Sequence, residues 1–255
     1  MKPFPHFRER LIALFFPPRC VGCARAGFAF CPHCAQAVSP IVGPLCAHCG
    51  RPQPQPVDFC SGCRSGGRDV FALVRVAALY SDPLRGAIHA LKYEGQPELA
   101  PLLARYLIAV AQQPPWLEIL PTIDGVIPVP LHAQRLAERG YNQSALLAEA
   151  LAEGMGLKLV ESWLRRERQT RSQVGLNGAE RRQNVAGAFR ADPVVAGKRL
   201  LVVDDVFTTG TTLTECAQSL RQAGAAAVYG LTLATPVPTT IPTSGDPAGS
   251  EFGDA

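Results

Sequence analysis

Eight of the nine cysteines in this chain form four Cys-x-x-Cys pairs, all before residue 64. Two residues between two thiolates let one tight turn direct both sulfurs at a single tetrahedral metal ion. One such pair could equally be a redox motif, but four in so short a stretch indicate two closed sites in which four cysteines bind Zn²⁺. The pairs are Cys20/Cys23, Cys31/Cys34, Cys46/Cys49 and Cys60/Cys63.

The spacing of the pairs favours sequential pairing, first with second and third with fourth, although interleaved pairing also satisfies it. His33 and His48 lie inside two of the Cys-x-x-Cys turns. We expect neither histidine to be a ligand, because the flanking sulfurs already fill each site. A filled site has no open coordination position, so its zinc stabilises a small fold and catalyses nothing.

The same cysteine-rich module could also present a surface to single-stranded nucleic acid. Residues 1–68 hold eight lysines and arginines against two acidic residues. Basic side chains would follow phosphates, and aromatic rings would stack on unpaired bases. A purely structural module and a nucleic-acid platform are both open at this point. The candidate residues of the platform are Arg19, Arg25, Arg51, Arg64, Arg68, Phe28, Phe30 and Phe59.

The composition is that of a globular protein, since 47% of the 255 residues are hydrophobic and 18% are charged. The apolar run Leu11–Phe16 is far shorter than the roughly 20 residues of a membrane span. Pro17 and Pro18 follow it without a small-residue cleavage site, so we expect no signal peptide and a cytoplasmic protein. The net charge of +4 falls close to zero if each zinc site contributes about −2, and it therefore gives no argument for nucleic acid.

From residue 70 onward, apolar runs typical of strands alternate with helical patterns, which predicts an α/β domain with a largely parallel sheet. We divide the chain into a cysteine-rich module (1–68), an α/β domain (69–235) and a disordered acidic tail (236–255). The predicted strands are 70–80, 125–129, 198–203 and 227–233. Four helices are predicted. The first starts after the N-cap Asp82, the second covers 98–112, the third starts at Gln143 after the N-cap Asn142, and the fourth covers 212–223. The buried stripe of the third helix is expected to contain Leu146, Leu147, Ala150 and Leu151.

Residues 161–190 interrupt this order, with seven arginines, three glutamates and no sustained apolar period. In a compact domain, such a long segment is more often a functional loop than a simple connector. We predict a long and partly mobile excursion here.

The most specific stretch runs from Leu200 to Thr212. A buried strand delivers Asp204 and Asp205 at its carboxyl end, where open α/β sheets bind ligands. The Thr208–Thr212 turn then leads directly into a helix, so backbone N–H groups, hydroxyls and the helix N-terminus converge on one point suited to a phosphate. The nearby carboxylates would accept hydrogen bonds from sugar hydroxyls. The sequence therefore predicts a ribose 5-phosphate site, and the stretch contains no Gly-Lys-Ser/Thr of the Walker type.

These residues resemble the fingerprint with which type I phosphoribosyltransferases bind 5-phosphoribosyl 1-pyrophosphate (PRPP). The chain as a whole, over about residues 15–235, resembles the ComF competence family. Besides the cysteine module, the resemblance is carried by residues 88–95, 127–132, 139–143 and 180–185.

The resemblance implies an open, mostly parallel phosphoribosyltransferase-like sheet preceded by a double zinc ribbon. Asp204 and Asp205 would hold the ribose hydroxyls at the catalytic centre, and Mg²⁺ would bridge pyrophosphate and ribose oxygens. The 5-phosphate would contact Thr208, Thr209, Gly210, Thr211 and Thr212. The pyrophosphate would meet the loop Val129, Pro130 and Leu131. A closing hood would contain Arg168, Gln173, Arg181, Arg182 and Asn184.

Two functions are compatible with the sequence. One is phosphoribosyl transfer from Mg·PRPP to an acceptor that the sequence does not identify. The other is a competence factor that binds single-stranded DNA and meets DNA-uptake proteins, with PRPP as a regulatory or vestigial ligand. Two further residues have open roles. Lys92 either reaches a phosphate or lies on the surface, and Cys216 falls on a buried helix stripe as a core residue.

Overall fold

The computed structural model describes residues 17–65, 70–168 and 183–236, without the side chain of Ser65. Its centre is a four-stranded, all-parallel sheet with the strand order β1-β6-β5-β2, which confirms the predicted α/β class. The predicted acidic tail lies almost entirely outside the described residues. In chain order the strands are β1 (Leu73–Leu79), β2 (Gly125–Pro128), β3 (Leu164–Arg166), β4 (Phe189–Ala191), β5 (Arg199–Val206) and β6 (Ala227–Thr235).

Helices cover both faces of the sheet, as parallel strands require. Two short helices belong to the cysteine-rich module and the others to the α/β domain. They are α1 (Pro32–Gln36), α2 (Ser61–Ser65), α3 (Leu84–Tyr93), α4 (Leu99–Ala111), α5 (Trp116–Ile119), α6 (Ala133–Arg139), α7 (Gln143–Met155) and α8 (Thr211–Gln222). Among the described residues, no helix is long and apolar enough to cross a membrane.

Strand β5 shows how the sheet divides the interior into two apolar clusters. Leu201 and Val203 join the cluster formed with α3, α4 and α7, whereas Leu200 and Val202 join the cluster formed with α8. Side chains alternate between the two faces of a strand, so a strand buried on both faces reads as the continuous apolar run seen in the sequence.

The cysteine-rich module lies along the edge strand β1 and contacts both faces of the sheet. The Val74 N–H donates to the His48 carbonyl at 2.9 Å, and the Leu79 N–H donates to the Ser39 carbonyl at 2.9 Å. Cys20, Cys31 and Cys34 belong to the apolar cluster of α3 and α4, while the four later cysteines belong to the cluster of α8. The module therefore covers the otherwise open edge of the sheet.

Several local predictions differ from the structure at helix ends. Helix α3 begins at Leu84, with Pro83 as the N-cap, and Asp82 binds the Arg85 guanidinium at 2.6 Å instead of capping the helix. Helix α7 begins at Gln143 behind the Asn142 cap, as predicted, and Ser144 N–H donates to the Asn142 side chain at 3.0 Å.

Two burial and strand predictions also need correction. The buried apolar residues of α7 are Leu147, Ala148, Leu151 and Ala152. Leu146 and Ala150 are only partly buried. The segment 161–190 is not irregular throughout, because its two ends pair as the antiparallel ribbon of β3 and β4. The apolar residues that anchor this ribbon, Leu164 and Phe189, are too widely separated to form a periodic pattern.

Candidate functional site

The eight paired cysteines form two groups of four, and within each group all sulfurs lie within 4.8 Å of one another. The groups are Cys20, Cys23, Cys31 and Cys34, and Cys46, Cys49, Cys60 and Cys63, which is the sequential pairing favoured by the sequence. Measured Sγ···Sγ distances of 3.6–3.8 Å match the edge of about 3.8 Å expected when four sulfurs surround Zn²⁺ at about 2.3 Å. The residues therefore fit two structural zinc sites, and neither His33 nor His48 belongs to a group.

Backbone N–H groups point at these sulfurs. The Cys31 N–H donates to Cys20 Sγ at 3.2 Å, and the Cys60 N–H donates to Cys46 Sγ at 3.3 Å. Burial disfavours the Cys20 thiolate, but hydrogen bonds from backbone N–H groups outweigh it and lower the pKa of Cys20 to about 6. The same balance lowers the pKa of Cys46 to about 7. Each group therefore contains a sulfur that ionises readily, as metal binding requires.

The acidic pair lies inside β5, since that strand continues to Val206 rather than ending before Asp204. Both side chains are buried. Alternation along the strand separates them, so Asp204 accepts a hydrogen bond from Ser144 Oγ at 2.9 Å, whereas Asp205 forms an ion pair with Lys92 Nζ at 2.8 Å. The Asp205 N–H also donates to Asp204 Oδ1 at 2.9 Å.

The surroundings of Asp204 favour its protonated form. Burial and the adjacent charge of Asp205 raise the pKa of Asp204 to about 7, although Lys92 and the Ser144 hydrogen bond oppose the shift. Burial also disfavours the charged form of Lys92, but the carboxylate of Asp205 outweighs it and raises the pKa of Lys92. The Lys92 side chain is only 20% exposed. The surface interpretation of Lys92 is therefore wrong, and the residue is part of the acidic site.

The threonine-rich turn follows directly from the buried Phe207. Gly210 has φ = +78° and is the N-cap of α8, so the first turn of this helix starts without a capping side chain on that residue. Thr209 and Thr211 share a hydroxyl hydrogen bond of 2.7 Å. The turn and the N-terminus of α8 therefore follow the acidic pair after two residues, at the carboxyl edge of the sheet.

The loop after β2 lies at the same edge. The Val129 N–H donates to the Val203 carbonyl at 2.9 Å, which places the loop beside Asp204 in the neighbouring strand. The Val129 carbonyl accepts from the Asn142 side chain at 3.0 Å, and Pro130 and Leu131 are half-buried. The structure thus brings the three groups of predicted site residues to one edge of the sheet.

Only part of the predicted hood is within the described residues. The Arg168 guanidinium donates to the carbonyls of Asn184 at 3.1 Å and Ala186 at 2.7 Å, so it ties the two sides of the β3–β4 ribbon together. Gln173, Arg181 and Arg182 lie outside the described residues.

Two polar neighbours of Asp204 were missed by sequence reasoning. Ser144 is the second residue of α7, and a serine in the first turn of a helix is too common to indicate that it binds Asp204. The Arg166 guanidinium lies over the Phe189 ring at 5.4 Å. Burial lowers the pKa of Arg166, while the charges of Cys216 and Asp204 oppose this and those of Arg135 and Arg168 reinforce it. The charges of Arg166 and Asp204 therefore interact. Cys216 itself is a fully buried core residue, as predicted.

Comparisons with known proteins agree with this architecture. A family model for the double zinc ribbon domain matches residues 11–64, and one for the phosphoribosyl transferase domain matches residues 138–242. The protein is thus of the class that joins a double zinc ribbon to a phosphoribosyltransferase domain.

Similar proteins identify the family. The chain is 37% identical over 205 residues to DNA utilization protein YhgH of Salmonella typhi, covering 80% of this chain and 89% of the relative. It is 31% identical to competence protein F of Haemophilus influenzae, covering 82% and 93%, and 29% identical to competence protein ComFC of Bacillus subtilis, covering 77% and 80%. The chain belongs to the ComF family of competence and DNA-utilization proteins.

Proposed function

We propose that the protein binds Mg·PRPP at the carboxyl edge of its sheet and acts in the use of imported DNA. The observation that carries the proposal is the position of the buried Asp204–Asp205 pair, which only Val206 and Phe207 separate from the Thr208–Thr212 turn and the N-terminus of α8. Two buried acids at the end of a strand cost free energy unless a ligand or a partner uses them. The relatives named for DNA utilization and competence support the cellular part of the proposal.

The two carboxylates have different tasks in this proposal. Asp205 is held in place by its ion pair with Lys92, so its oxygens are positioned to accept hydrogen bonds from ribose hydroxyls. Asp204, with its pKa raised to about 7, becomes ionised when ligand hydroxyls or a cation replace the missing solvation. Carboxylate oxygens are ligands that suit Mg²⁺, which supplies charge neutralisation for the pyrophosphate.

The 5-phosphate would bind at the turn. The partial positive charge of the α8 N-terminus favours an anion here, and the Thr211 N–H, which donates to Thr209 Oγ1 at 3.4 Å, would turn to the phosphate. The hydroxyls of Thr209 and Thr211 are already directed at each other at 2.7 Å. Gly210 brings the backbone close to the phosphate oxygens because its positive φ carries no steric cost for glycine.

Arg166, whose charge interacts with that of Asp204, and Arg168 would suit the pyrophosphate end of the same ligand. Arg166 is held over Phe189, and Arg168 is fixed by two backbone carbonyls. Guanidinium groups fixed in this way stabilise charge that develops on a leaving pyrophosphate, should the ligand be turned over.

A second function, binding of single-stranded DNA by the zinc ribbons, is favoured by two exposed aromatic rings. Phe28 is 43% exposed and Phe59 is 44% exposed, and Arg19 and Arg25 are exposed on the first ribbon. Exposed rings next to guanidinium groups are the combination that binds unpaired bases and their phosphates.

Calorimetric titration of the zinc-loaded protein with PRPP, with and without Mg²⁺, tests the main proposal. We expect Mg-dependent binding that Asp205→Asn weakens by roughly thirtyfold or more, because a hydrogen bond to a charged group is lost. Asp58→Asn, which changes an exposed carboxylate in the zinc module, is the matched control and should bind as the wild type does. Wild-type protein that fails to bind PRPP with Mg²⁺ present would show the proposal to be wrong.

Filter binding of a single-stranded oligonucleotide over a salt series tests the second function. The double variant Phe28→Ala/Phe59→Ala should lose affinity at every salt concentration while the slope against salt stays unchanged, because stacking and not phosphate contact is removed. Equal affinity of the variant and the wild type would contradict a role for the two rings.

A further inference from the structure

The second zinc ribbon, formed by residues 45–65, shares an apolar core with the threonine-rich turn. Its four cysteines lie in the same buried cluster as Phe207 and Leu213, which flank the turn on either side. Phe207 is 1% exposed, and its N–H donates to the Ala234 carbonyl at 2.7 Å. Phe207, the residue that precedes the turn, is therefore fixed between strand β6 and the second ribbon.

Arg51 makes the direct contact. Its guanidinium lies over the Phe207 ring at 5.1 Å from the centroid, and its Nη2 is 3.5 Å from the Phe207 carbonyl oxygen. The same carbonyl accepts from Thr235 Oγ1 at 2.9 Å. A guanidinium stacked on a buried ring and directed at the backbone of the same residue restrains both the side chain and the peptide from which the turn starts.

The position of Arg51 depends on the metal-binding turn of the second ribbon. The Cys46 N–H donates to the Arg51 carbonyl at 2.9 Å, and the Gly50 N–H donates to the Cys46 carbonyl at 2.9 Å. Arg51 thus follows Cys49 by two residues and is held by the backbone that presents Cys46 and Cys49 to the zinc. When zinc binds Cys46 and Cys49, it therefore also fixes the backbone position of Arg51.

We infer that Arg51 is a positioning residue for the Thr208–Thr212 turn, so that zinc in the second ribbon supports the binding of the ligand's 5-phosphate. The phosphate part of this inference rests on the proposed function, whereas the restraint on the turn does not. The inference makes the second ribbon a part of the ligand site in addition to a structural unit. It also predicts that ribose 5-phosphate, which has no pyrophosphate, reports on Arg51 while inorganic pyrophosphate does not.

The experiment compares Arg51→Ala and Arg51→Lys with Arg221→Ala in the zinc-loaded protein. Arg221 is the matched control because its guanidinium also binds backbone carbonyls, those of Ala225 and Ala226, but at the opposite end of α8. The measurements are zinc content, hydrogen exchange of the amides of residues 207–213, and affinities for ribose 5-phosphate and for inorganic pyrophosphate.

We expect Arg51→Ala to retain two zinc ions, to exchange faster at residues 207–213, and to bind ribose 5-phosphate roughly tenfold more weakly with unchanged pyrophosphate affinity. Arg51→Lys should be intermediate because it keeps the charge and loses the planar stack. Exchange and affinity equal to those of Arg221→Ala would overturn the inference, as would an equal loss for both ligands. If Arg51→Ala does not fold, Arg51→Met, which keeps the aliphatic volume, replaces it.

The exchange measurement keeps the two proposals separate. If wild-type protein fails to bind Mg·PRPP, the proposed function is refuted, and the exchange of residues 207–213 in the Arg51 variants then decides alone whether Arg51 restrains the turn. Unchanged exchange in that case refutes the inference as well.

Discussion

The two zinc ribbons have the same set of metal ligands but contact different parts of the phosphoribosyltransferase domain. The first ribbon lies against the helical layer, where the Tyr106 hydroxyl donates to the Ala35 carbonyl at 2.7 Å. The second lies against the layer that holds the turn, where Arg51 contacts Phe207. One of the first ribbon's cysteines, Cys23, is exposed, whereas all four of the second ribbon's cysteines are buried.

The first ribbon contacts helix α3, which leads to the acidic pair. The backbone of Val21 and Gly22 lies against the start of α3, where a Cβ on Gly22 would come within 2.8 Å of Pro83 and a Cβ on Gly86 within 3.2 Å of the Val21 carbonyl. The other end of α3 carries Lys92, the partner of Asp205. A helix of ten residues separates these points by about 15 Å. The difference shows that a repeated metal module acquires different roles from what each copy contacts.

Replacing one zinc ligand in each ribbon is the strongest way to break this comparison. Cys49→Ser and Cys23→Ser should each lower the zinc content from two ions to one, because a serine hydroxyl is a poor zinc ligand. Cys49→Ser should abolish measurable Mg·PRPP binding, since the second ribbon shares the core of the turn. Cys23→Ser should change the affinity by no more than about fivefold. Metal analysis and calorimetry measure both, and equal losses of affinity would mean that the ribbons are equivalent.

The ion pair at the end of α3 gives the next largest effect. Lys92→Met leaves Asp205, which is 6% exposed, without its cation, and should lower the free energy of unfolding by about 3–5 kcal/mol. Arg85→Met on the same helix removes a pair whose side chains are 59% and 61% exposed, so it should cost about 1 kcal/mol or less. Urea denaturation compares the two. Similar costs would indicate that Lys92 is replaceable by water.

The two carboxylates have different partners, since Asp204 binds Ser144 and Asp205 pairs with Lys92, and pH tests the Asp204 side of this difference. Because the native pKa of Asp204 is raised from 3.8 to about 7, the native state binds more protons than the unfolded state between these values. Stability therefore falls as pH rises through this window. Asp204→Asn removes that dependence and should stabilise the ligand-free protein at pH 8, by on the order of 2 kcal/mol, with little change at pH 4.

Urea denaturation of wild type and Asp204→Asn at several pH values measures this difference, with Asp58→Asn as the control. The same substitution should abolish Mg·PRPP binding, so stability and binding move in opposite directions. A stabilisation of Asp204→Asn that does not change with pH would mean that Asp204 is not titrating in this range.

The two groups of four cysteines and the strand, turn and helix from Asp204 to Thr212 could be predicted from the sequence because their residues are close in the chain. Cys-x-x-Cys spacing directs the two sulfurs of each pair at one ion, and Asp204 to Thr212 form one continuous strand, turn and helix. Local chemistry is sufficient for such sites.

Contacts between distant residues could not be predicted in this way. Lys92 and Asp205 are 113 positions apart in the printed sequence, and Arg51 and Phe207 are 156 apart. Which basic side chain meets which carboxylate depends on how helix α3 and the second ribbon pack against the sheet, and no local pattern records that. The pairing of β3 with β4 was missed because the two strands are far apart in the chain. Each has only three residues, which is too short to show alternation.

The smallest expected effect is also the most direct comparison of the ribbons. Coupling between two sites is reciprocal, so if zinc in the second ribbon supports Mg·PRPP binding, bound Mg·PRPP must stabilise that zinc. Transfer of zinc to a chromogenic chelator should show two phases, one for each ribbon. Saturating Mg·PRPP should slow one phase by a few-fold and leave the other unchanged, and the slowed phase should be the one missing in Cys49→Ser. In Arg51→Ala the ligand should lose most of this effect, even at concentrations that saturate the site. Slowing of both phases to the same extent would mean that the ligand is coupled equally strongly to both zinc ribbons.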